Sequence, residues 1–242
     1  MTIACVQFED KNTVRLPMNL YLLNSGPGAA AYNMAFDEAL LEFVARLGRP
    51  VLRFYGWTER AASFGYSQKF ADAAGMTRLR PLVRRPTGGG LVPHHADWTY
   101  TLAFPPGNGW YALRAPESYR TVHQWIRGAF ARLKVETELA SGSRRGPPGQ
   151  CFVGAERDDV VWCGRKIAGA AQRRNRQGLL IQGSVQAPPV GLAKADWQKA
   201  MCDVAVERWS ARWSAFEPYP TLNQRAEELV KKYSSVEHTE SR

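Results

Sequence analysis

The sequence predicts an α+β fold in which a mixed or antiparallel sheet is flanked by helices. Short β-rich segments and amphipathic helical segments follow one another without the strict strand–helix alternation that a parallel sheet requires. A length of 242 residues with 45% hydrophobic side chains is enough to bury a sizeable core. No change of composition marks a boundary, so we expect one domain over residues 1–242.

The predicted helices rest on apolar residues that recur at steps of three and four. This pattern is clearest at residues 30–47 and 116–133, and Gly48 ends the first of these helices. Two further helices are expected at 194–209 and 221–233. These two lie beyond the core, which we expect over about residues 17–190.

The predicted strands are short runs rich in β-branched and aromatic residues. They are expected at residues 19–23, 51–55, 82–85, 98–104, 134–140, 158–163, 166–172 and 178–185. Residues 141–150 are rich in Gly, Ser and Pro, which predicts a loop. We expect a polar leader at residues 1–16 and an irregular polar tail at 234–242.

The composition favours a cytoplasmic protein with an acidic partner. Lys and Arg number 32 against 22 Asp and Glu, so the formal charge is +10. The four cysteines form no CxxC pair and no zinc-binding spacing, which predicts free thiols. No run approaches the roughly 20 apolar residues of a membrane span. Nucleic acid is an alternative partner on charge alone, but the arginines are scattered and no recognition motif is present, so we expect neither nucleic acid nor membrane.

The most informative stretch is residues 84–90, Arg-Arg-Pro-Thr-Gly-Gly-Gly. Three consecutive glycines leave backbone N–H groups bare enough to approach an anionic or carbonyl-bearing ligand. The two arginines add charge-assisted donors. On the glycines alone, a flexible turn between two strands is an equally good interpretation. The stretch matches neither a nucleotide-triphosphate loop nor a dinucleotide fingerprint.

A second stretch places Lys166 among small and apolar residues, within Gly164–Gln172. A lysine held in a low-dielectric pocket can polarise a carbonyl or neutralise a developing oxyanion. The alternative is a surface lysine whose stem lies along apolar neighbours.

Taken together and in this order, these stretches resemble the lipoate–biotin protein ligase superfamily, and within it the lipoate ligases and octanoyltransferases. The likeness extends over most of the chain. The segments that carry it are Asn33–Leu41, Arg53–Trp57, Ser63–Gln68, residues 84–90 with His94, Gly164–Gln172 and Leu180–Ser184. The resemblance implies the catalytic-domain fold of that superfamily. It also implies attachment of octanoyl or lipoyl groups to a lysine of small acidic lipoyl domains, in 2-oxoacid dehydrogenases or the glycine cleavage H protein.

The resemblance assigns site residues as well. It implies that Lys166 contacts the acyl carbonyl and that the glycine stretch receives the head of the donor. The substrate-binding residues expected on this basis are Arg84, Arg85, Thr87, Gly88, Gly89, Gly90, His94, Gly169 and Ala171. Trp57, Phe64 and Tyr66 are candidate contacts of the acyl chain, or equally plain core. His94 either orients the glycine stretch or relays a proton, and His95 stands where the family usually has Asp.

Cys151 distinguishes the two chemistries of the superfamily, ATP-dependent ligation and transfer through a cysteine. It lies 15 residues before Lys166 and precedes Phe152, an offset that resembles the cysteine-dependent octanoyltransferases. A cationic neighbour stabilises a thiolate, and we expect Lys166 to do so. The expected function is transfer of octanoyl from octanoyl-acyl carrier protein, through a Cys151 thioester, to a lipoyl-domain lysine. No cofactor is expected, and no catalytic role falls to Cys5, Cys163 or Cys202.

An ATP-dependent lipoate–protein ligase is the alternative. Residues 153–159 depart from the run that follows Cys-Phe in the transferases, and Asp158-Asp159 resembles the Asn-Asp of the ligases. In that case Asp159 helps to hold Mg²⁺-ATP. Only about 55 residues follow the shared core, which is too few for the accessory domain that many ligases carry. A non-catalytic binder of lipoyl domains or acyl carrier protein is a remoter alternative, and a biotin ligase is disfavoured because the biotin-type Gly-Arg-Gly-Arg pattern is missing.

Overall fold

The computed structural model describes residues 18–144, 149, 151–186 and 191–241. The strands are β1 (Asn19–Gly28), β2 (Val51–Trp57), β3 (Ala61–Phe64), β4 (Leu82–Arg84), β5 (Val92–His94), β6 (Trp98–Phe104), β7 (Glu138–Leu139), β8 (Val160–Trp162), β9 (Arg165–Asn175), β10 (Gly178–Val185) and β11 (Arg212–Ala215). The helices are α1 (Ala30–Leu47), α2 (Phe70–Met76), α3 (Gly109–Ala112), α4 (Ala115–Arg132), α5 (Lys194–Trp209), α6 (Pro220–Tyr233) and α7 (Val236–Glu240).

The strands of the described residues form two sheets. Eight of them make a large sheet in the order β11-β1-β2-β6-β10-β9-β8-β7. Strand β1 is parallel to β11 and β2, whereas the pairs from β2 to β7 are antiparallel. The remaining three strands make a small sheet in the order β4-β3-β5. The predicted α+β class with a mixed sheet is therefore confirmed.

Helices cover both faces of the large sheet because its central strands are apolar on both sides. Leu102 and Phe104 of β6 pack in one cluster with α4 and α5, and Ala103 between them packs with α1 and α6 on the other face. This alternation follows from the two-residue period of a strand. On α1, Gly48 adopts the left-handed conformation and its N–H donates to the carbonyl of Val44, which ends the helix as predicted.

Most predicted elements have the bounds that the sequence suggested. Helix α1 and strands β6 and β10 match residue for residue, and α4, α5 and α6 differ by at most one residue at an end. The strand expected at 134–140 is wrong in extent, since only Glu138–Leu139 pairs, after Lys134 turns the chain with φ of 59°. The irregular tail is also wrong, because α7 occupies Val236–Glu240. The predicted leader lies outside the described residues.

Several strands and helices in and around the small sheet were not predicted from the sequence. Strands β5 and β11 and helices α2, α3 and α7 had no counterpart among the expected elements. The small sheet packs its own apolar cluster around Phe64, Leu82 and Leu91. Within the described residues, no helix is both long and apolar enough to cross a membrane.

Candidate active site

Gly88–Gly90, the glycine loop, connects β4 to β5 and forms one wall of a pocket. Gly89 adopts φ of 86°, a left-handed conformation that favours glycine. At Gly90, an added Cβ would lie 2.5 Å from the carbonyl oxygen of Gly149. A side chain at this position would therefore push the neighbouring Gly149 segment away from the loop.

Backbone hydrogen bonds hold Cys151 against the glycine loop. The Leu91 N–H donates to the Gly149 carbonyl (2.6 Å), and the Cys151 N–H donates to the Leu91 carbonyl (3.1 Å). The Gln68 side-chain amide donates to the same Gly149 carbonyl at 3.1 Å. As a result, the Gly90 N–H donates to Cys151 Sγ at 3.0 Å. The half-buried sulfur thus has a fixed backbone donor.

Arg85 is the cation beside this sulfur. Its buried guanidinium donates to the carbonyls of Gly88 (2.5 Å) and Gly90 (2.8 Å), and to the carbonyl of Ser63 (3.2 Å). Burial lowers the pKa of Arg85, and the charge and hydrogen bond of Cys151 act in the opposite direction. The guanidinium therefore holds the glycine loop and lies near the sulfur.

Lys166 lies on β9 in the same pocket and forms a buried ion pair. Its Nζ is 2.7 Å from Asp159 Oδ2, with 8% and 7% of the two side chains exposed. The same Nζ lies 5.1 Å from the ring centroid of Phe152. An added Cβ at Gly169 would lie 2.7 Å from Lys166 Cε, so glycine there leaves room for the lysine stem.

Arg85 and Lys166 line the same pocket as Cys151 and differ in their partners. Lys166 is paired with Asp159, whereas the charge of Cys151 opposes the effect of burial on the pKa of Arg85. Asp159 Oδ2 also accepts the Glu156 N–H at 2.6 Å, so this oxygen is already occupied by protein donors. Within the described ranges, no cluster of three or more His, Cys, Asp or Glu side chains is arranged to hold a metal ion.

The pocket and its mouth enclose about 490 Å³. Apolar side chains form much of its lining, namely Met34, Tyr55, Val92, Phe152 and Ala170. The expected site residues that line it are Trp57, Arg85, Gly89, His94, Cys151, Lys166, Gly169 and Ala171. An apolar lining with two cations and a thiol at its wall suits an acyl chain with a reactive carbonyl head.

Six expected site residues do not line this pocket, namely Phe64, Tyr66, Arg84, Thr87, Gly88 and Gly90. Phe64 is fully buried in the cluster of the small sheet, and Tyr66 is 39% exposed outside the pocket. Arg84 is buried on the other side of its strand from Arg85. Arg85 directly follows β4, and its N–H still donates to the Phe64 carbonyl of β3 (3.0 Å), so the alternation of the strand extends to it and separates the two arginines.

Arg84 binds the C-terminal part of the chain instead of a ligand. Its Nε donates to the His238 carbonyl (3.1 Å) and its Nη2 to the Thr239 carbonyl (2.9 Å). Its Nη1 donates to the carbonyls of Tyr66 (2.8 Å) and Gln68 (2.7 Å). Arg84 therefore joins α7 to the small sheet and the turn after β3.

Thr87 belongs to a buried network beneath the pocket. Its hydroxyl donates to Gln182 Oε1 (2.7 Å), and Gln182 Nε2 donates to Asp37 Oδ2 (2.7 Å). Asp37 also accepts from Arg53 Nη1 (2.7 Å) and from the Thr101 hydroxyl (2.7 Å). The network connects the residue before the glycine loop to helix α1 through fully hydrogen-bonded groups.

The His94 ring is held by stacking on one face and by a hydrogen-bond contact at each nitrogen. The ring stacks on Trp57 with 3.8 Å between centroids. Nδ1 lies 2.8 Å from Asp97 Oδ2, and Nε2 lies 2.8 Å from Ser63 Oγ. Sequence reasoning missed both Ser63 and Asp97 as site residues.

Asp97 supplies a carboxylate three residues after His94. Its Oδ2 accepts from the hydroxyls of Thr99 (2.9 Å) and Ser184 (2.7 Å) as well as contacting His94. Burial opposes ionisation, but the His94 ring and these hydroxyls together hold the pKa of Asp97 below its usual value. The signal available in the sequence was an acid in the turn between β5 and β6.

The other two described cysteines, Cys163 and Cys202, do not line the pocket. Cys163 is exposed in the turn between β8 and β9 with φ of 48°, not in the expected strand. Cys202 lies on α5 as expected, where burial raises its pKa to about 11. Cys5 lies outside the described residues.

The family model described as the lipoyl protein ligase A/B catalytic domain matches residues 29–188. The chain belongs to this family. Within the family, octanoyltransferase LipM of Staphylococcus epidermidis is 36% identical over 177 residues, which cover 67% of this chain and 64% of that protein. LipM of Symbiobacterium thermophilum is 36% identical over 185 residues, which cover 69% and 65%. The chain thus spans just under two thirds of the length of these relatives.

Solved structures of the lipoyl protein ligase family share the fold. Lipoate-protein ligase A bound with ATP gives a TM-score of 0.73 at 19% identity, covering 93% of this chain and 98% of that one. A bipartite lipoate protein ligase from Thermoplasma acidophilum, studied with its E2 lipoyl domain, gives 0.66 at 19% identity, covering 93% and 96%. At these identities the likeness establishes the fold alone.

Proposed function

We propose that this protein transfers an octanoyl group from acyl carrier protein to a lysine of a lipoyl domain through a thioester on Cys151. The observation that carries the proposal is the position of Cys151 in an apolar pocket, with the Gly90 N–H on its sulfur and Arg85 beside it. The similarity to octanoyltransferase LipM supports the same chemistry.

In the first half of the reaction, the Cys151 thiolate attacks the thioester carbonyl of octanoyl-acyl carrier protein. The new C–S bond forms as the carrier's C–S bond breaks, and the carrier leaves as a thiolate. Since one thioester replaces another, the exchange is close to energetically neutral and consumes no ATP. Gly90 and Arg85 hold the attacking sulfur, and Lys166 Nζ supplies positive charge to the carbonyl oxygen.

In the second half, the acceptor lysine attacks the octanoyl-cysteine and forms an amide. The amide is more stable than the thioester, so this step drives the transfer forward. The formal charge of +10 favours docking of acidic carriers, both the donor and the lipoyl domain.

The test is an intact-mass measurement on protein mixed with octanoyl-acyl carrier protein in the absence of ATP. We expect an octanoyl adduct that hydroxylamine removes, and that Cys151→Ala abolishes. The matched control is Cys163→Ala, which changes an exposed cysteine outside the pocket and should leave the adduct intact. Lipoylation that survives Cys151→Ala and demands ATP with free lipoate would instead establish a ligase.

A further inference from the structure

Three hydrogen-bonded side chains run from the interior to the pocket. Asp97 Oδ2 lies 2.8 Å from His94 Nδ1, and His94 Nε2 lies 2.8 Å from Ser63 Oγ. Ser63 and His94 both line the pocket that holds Cys151, and Asp97 forms the buried end of the chain. This carboxylate–imidazole–hydroxyl order is the arrangement by which proteins make a histidine accept a proton.

The hydrogen bonds around Ser63 suit a proton acceptor. Arg85 Nη1 donates to the Ser63 hydroxyl oxygen at 3.4 Å, which leaves the serine's own proton directed to His94 Nε2. After the imidazole gains a proton, the same contact is satisfied in reverse, since Nε2–H then donates to Ser63. Asp97 Oδ1 has no hydrogen-bond partner within the described residues, so carboxylate charge remains to balance an imidazolium.

The other charged groups near Asp97, His94 and Ser63 disfavour the entry of a further cation into the pocket. Arg85 adjoins Ser63 and Cys151, and Lys166 lines the same pocket. The negative partner of Lys166, Asp159, is already in its ion pair. Lys194 of α5 donates to the Tyr55 carbonyl (2.7 Å), and burial lowers its pKa while the charge of Asp97 acts in the opposite direction. An ammonium entering from the acceptor therefore meets positive charge and low polarity, both of which favour its neutral form.

The second half of the proposed transfer requires that a lysine lose a proton. A free lysine has a pKa of about 10.4, so near neutral pH it is almost entirely ammonium and has no lone pair for attack. A group in the pocket must accept that proton as the amine approaches the thioester.

We propose that Ser63 and His94 accept the proton of the acceptor lysine, with Asp97 as the positioning residue; this inference rests on the proposed octanoyl transfer. The ammonium gives one proton to Ser63 Oγ as the Ser63 proton moves to His94 Nε2. The freed amine attacks the octanoyl carbonyl, so that a C–N bond forms and the C–S bond breaks. The electron pair leaves on Cys151 Sγ, and the second amine proton passes to that sulfur.

The test separates the two halves of the reaction in His94→Gln. Octanoyl-enzyme formation is followed by intact mass, and the isolated adduct is then given either a lipoyl domain or hydroxylamine, which is neutral near pH 7. We expect lysine transfer from the isolated adduct to fall by about 100-fold relative to hydroxylamine cleavage of the same adduct. The reason is that hydroxylamine needs no base to become neutral.

Two variants and one control accompany the test. Asp97→Asn keeps the size of the side chain and should slow lysine transfer in the same selective way, as should Ser63→Ala. His95→Gln changes the exposed neighbouring histidine and should have no effect. Equal losses with lysine and hydroxylamine, or unchanged lysine transfer, would overturn the inference while leaving the thioester intact. No adduct on the unaltered protein would overturn the proposed function and the inference together.

Discussion

Arg84 and Arg85 are adjacent, both buried and chemically identical, yet they serve opposite sides of the small sheet. Arg84 donates to carbonyls of α7 and of the turn after β3. Arg85 donates to the glycine loop and adjoins Cys151. The outer side of β4 thus holds the chain together, and the pocket side holds reactive groups.

This difference shows that adjacent residues of one sequence motif can lie on opposite faces of a strand, and they then need not contribute to the same binding site. Alternation along β4 directs neighbouring side chains to different faces, so two arginines in sequence have separate roles. Substitutions on the pocket side should change rates, and substitutions on the outer side should change stability.

The largest effect is expected for Lys166→Met on the pocket side. The variant loses the cation that would face the acyl oxygen, and we expect octanoyl-enzyme formation to fall by about 1,000-fold. It also leaves Asp159 buried without its partner, which should lower the free energy of unfolding by about 3–5 kcal/mol. Stopped intact-mass time courses and urea titrations measure the two effects.

The double variant Lys166→Met, Asp159→Asn separates these causes. Removing the unpaired charge should recover part of the stability, whereas the rate should stay low. Recovery of the rate along with stability would mean that Lys166 acts only as a structural partner.

Arg85→Met should have the next largest effect, a fall of about 100-fold in octanoyl-enzyme formation. The reason is that Cys151 loses its cation and the glycine loop loses a shared donor. Arg85→Lys keeps the charge but loses the planar guanidinium, so its rate of octanoyl-enzyme formation should lie between those of the unaltered protein and Arg85→Met. If iodoacetamide alkylates Cys151 in Arg85→Met as fast as in the unaltered protein, the proposed contact with the sulfur is unimportant.

Arg84→Met should have the smallest effect on rate, within about two-fold, and a clear effect on stability. Four carbonyls lose a charged donor, so we expect a loss of about 2–4 kcal/mol in the free energy of unfolding. Thermal and urea unfolding measure this loss, with octanoyl-enzyme formation assayed well below the transition. If Arg84→Met formed the octanoyl-enzyme as slowly as Arg85→Met, the assignment of different roles to the two arginines would be wrong.

Much of the fold was predictable because its signals are local. The apolar period of residues 30–47 and the Gly48 end define α1, and the buried run 178–185 defines β10. Strand β5 and helix α7 are short and depend on contacts distant in sequence. Helix α7 joins the fold through Arg84, 154 residues before His238, so no local pattern could predict its place.

The site was predictable where residue type alone indicates chemistry, as for Cys151, Lys166 and the glycine loop. It was not predictable where the partner is set by folding. Asp97 and Ser63 are ordinary polar residues until β3 and β5 pair and bring Ser63 to His94. The acid that engages Lys166 was noticed only as a ligand for Mg²⁺, because the sequence carries no sign of the ion pair.

Strand β10 supplies part of the floor of the pocket and is hydrogen-bonded along its length to β6 and β9, whereas the thiol comes from a loop attached by a few backbone bonds. A strand that is hydrogen-bonded on both edges tolerates few sequence changes, whereas a loop tolerates many. Within one architecture, the reactive group can therefore be exchanged during evolution without rebuilding the chamber that receives the fatty chain.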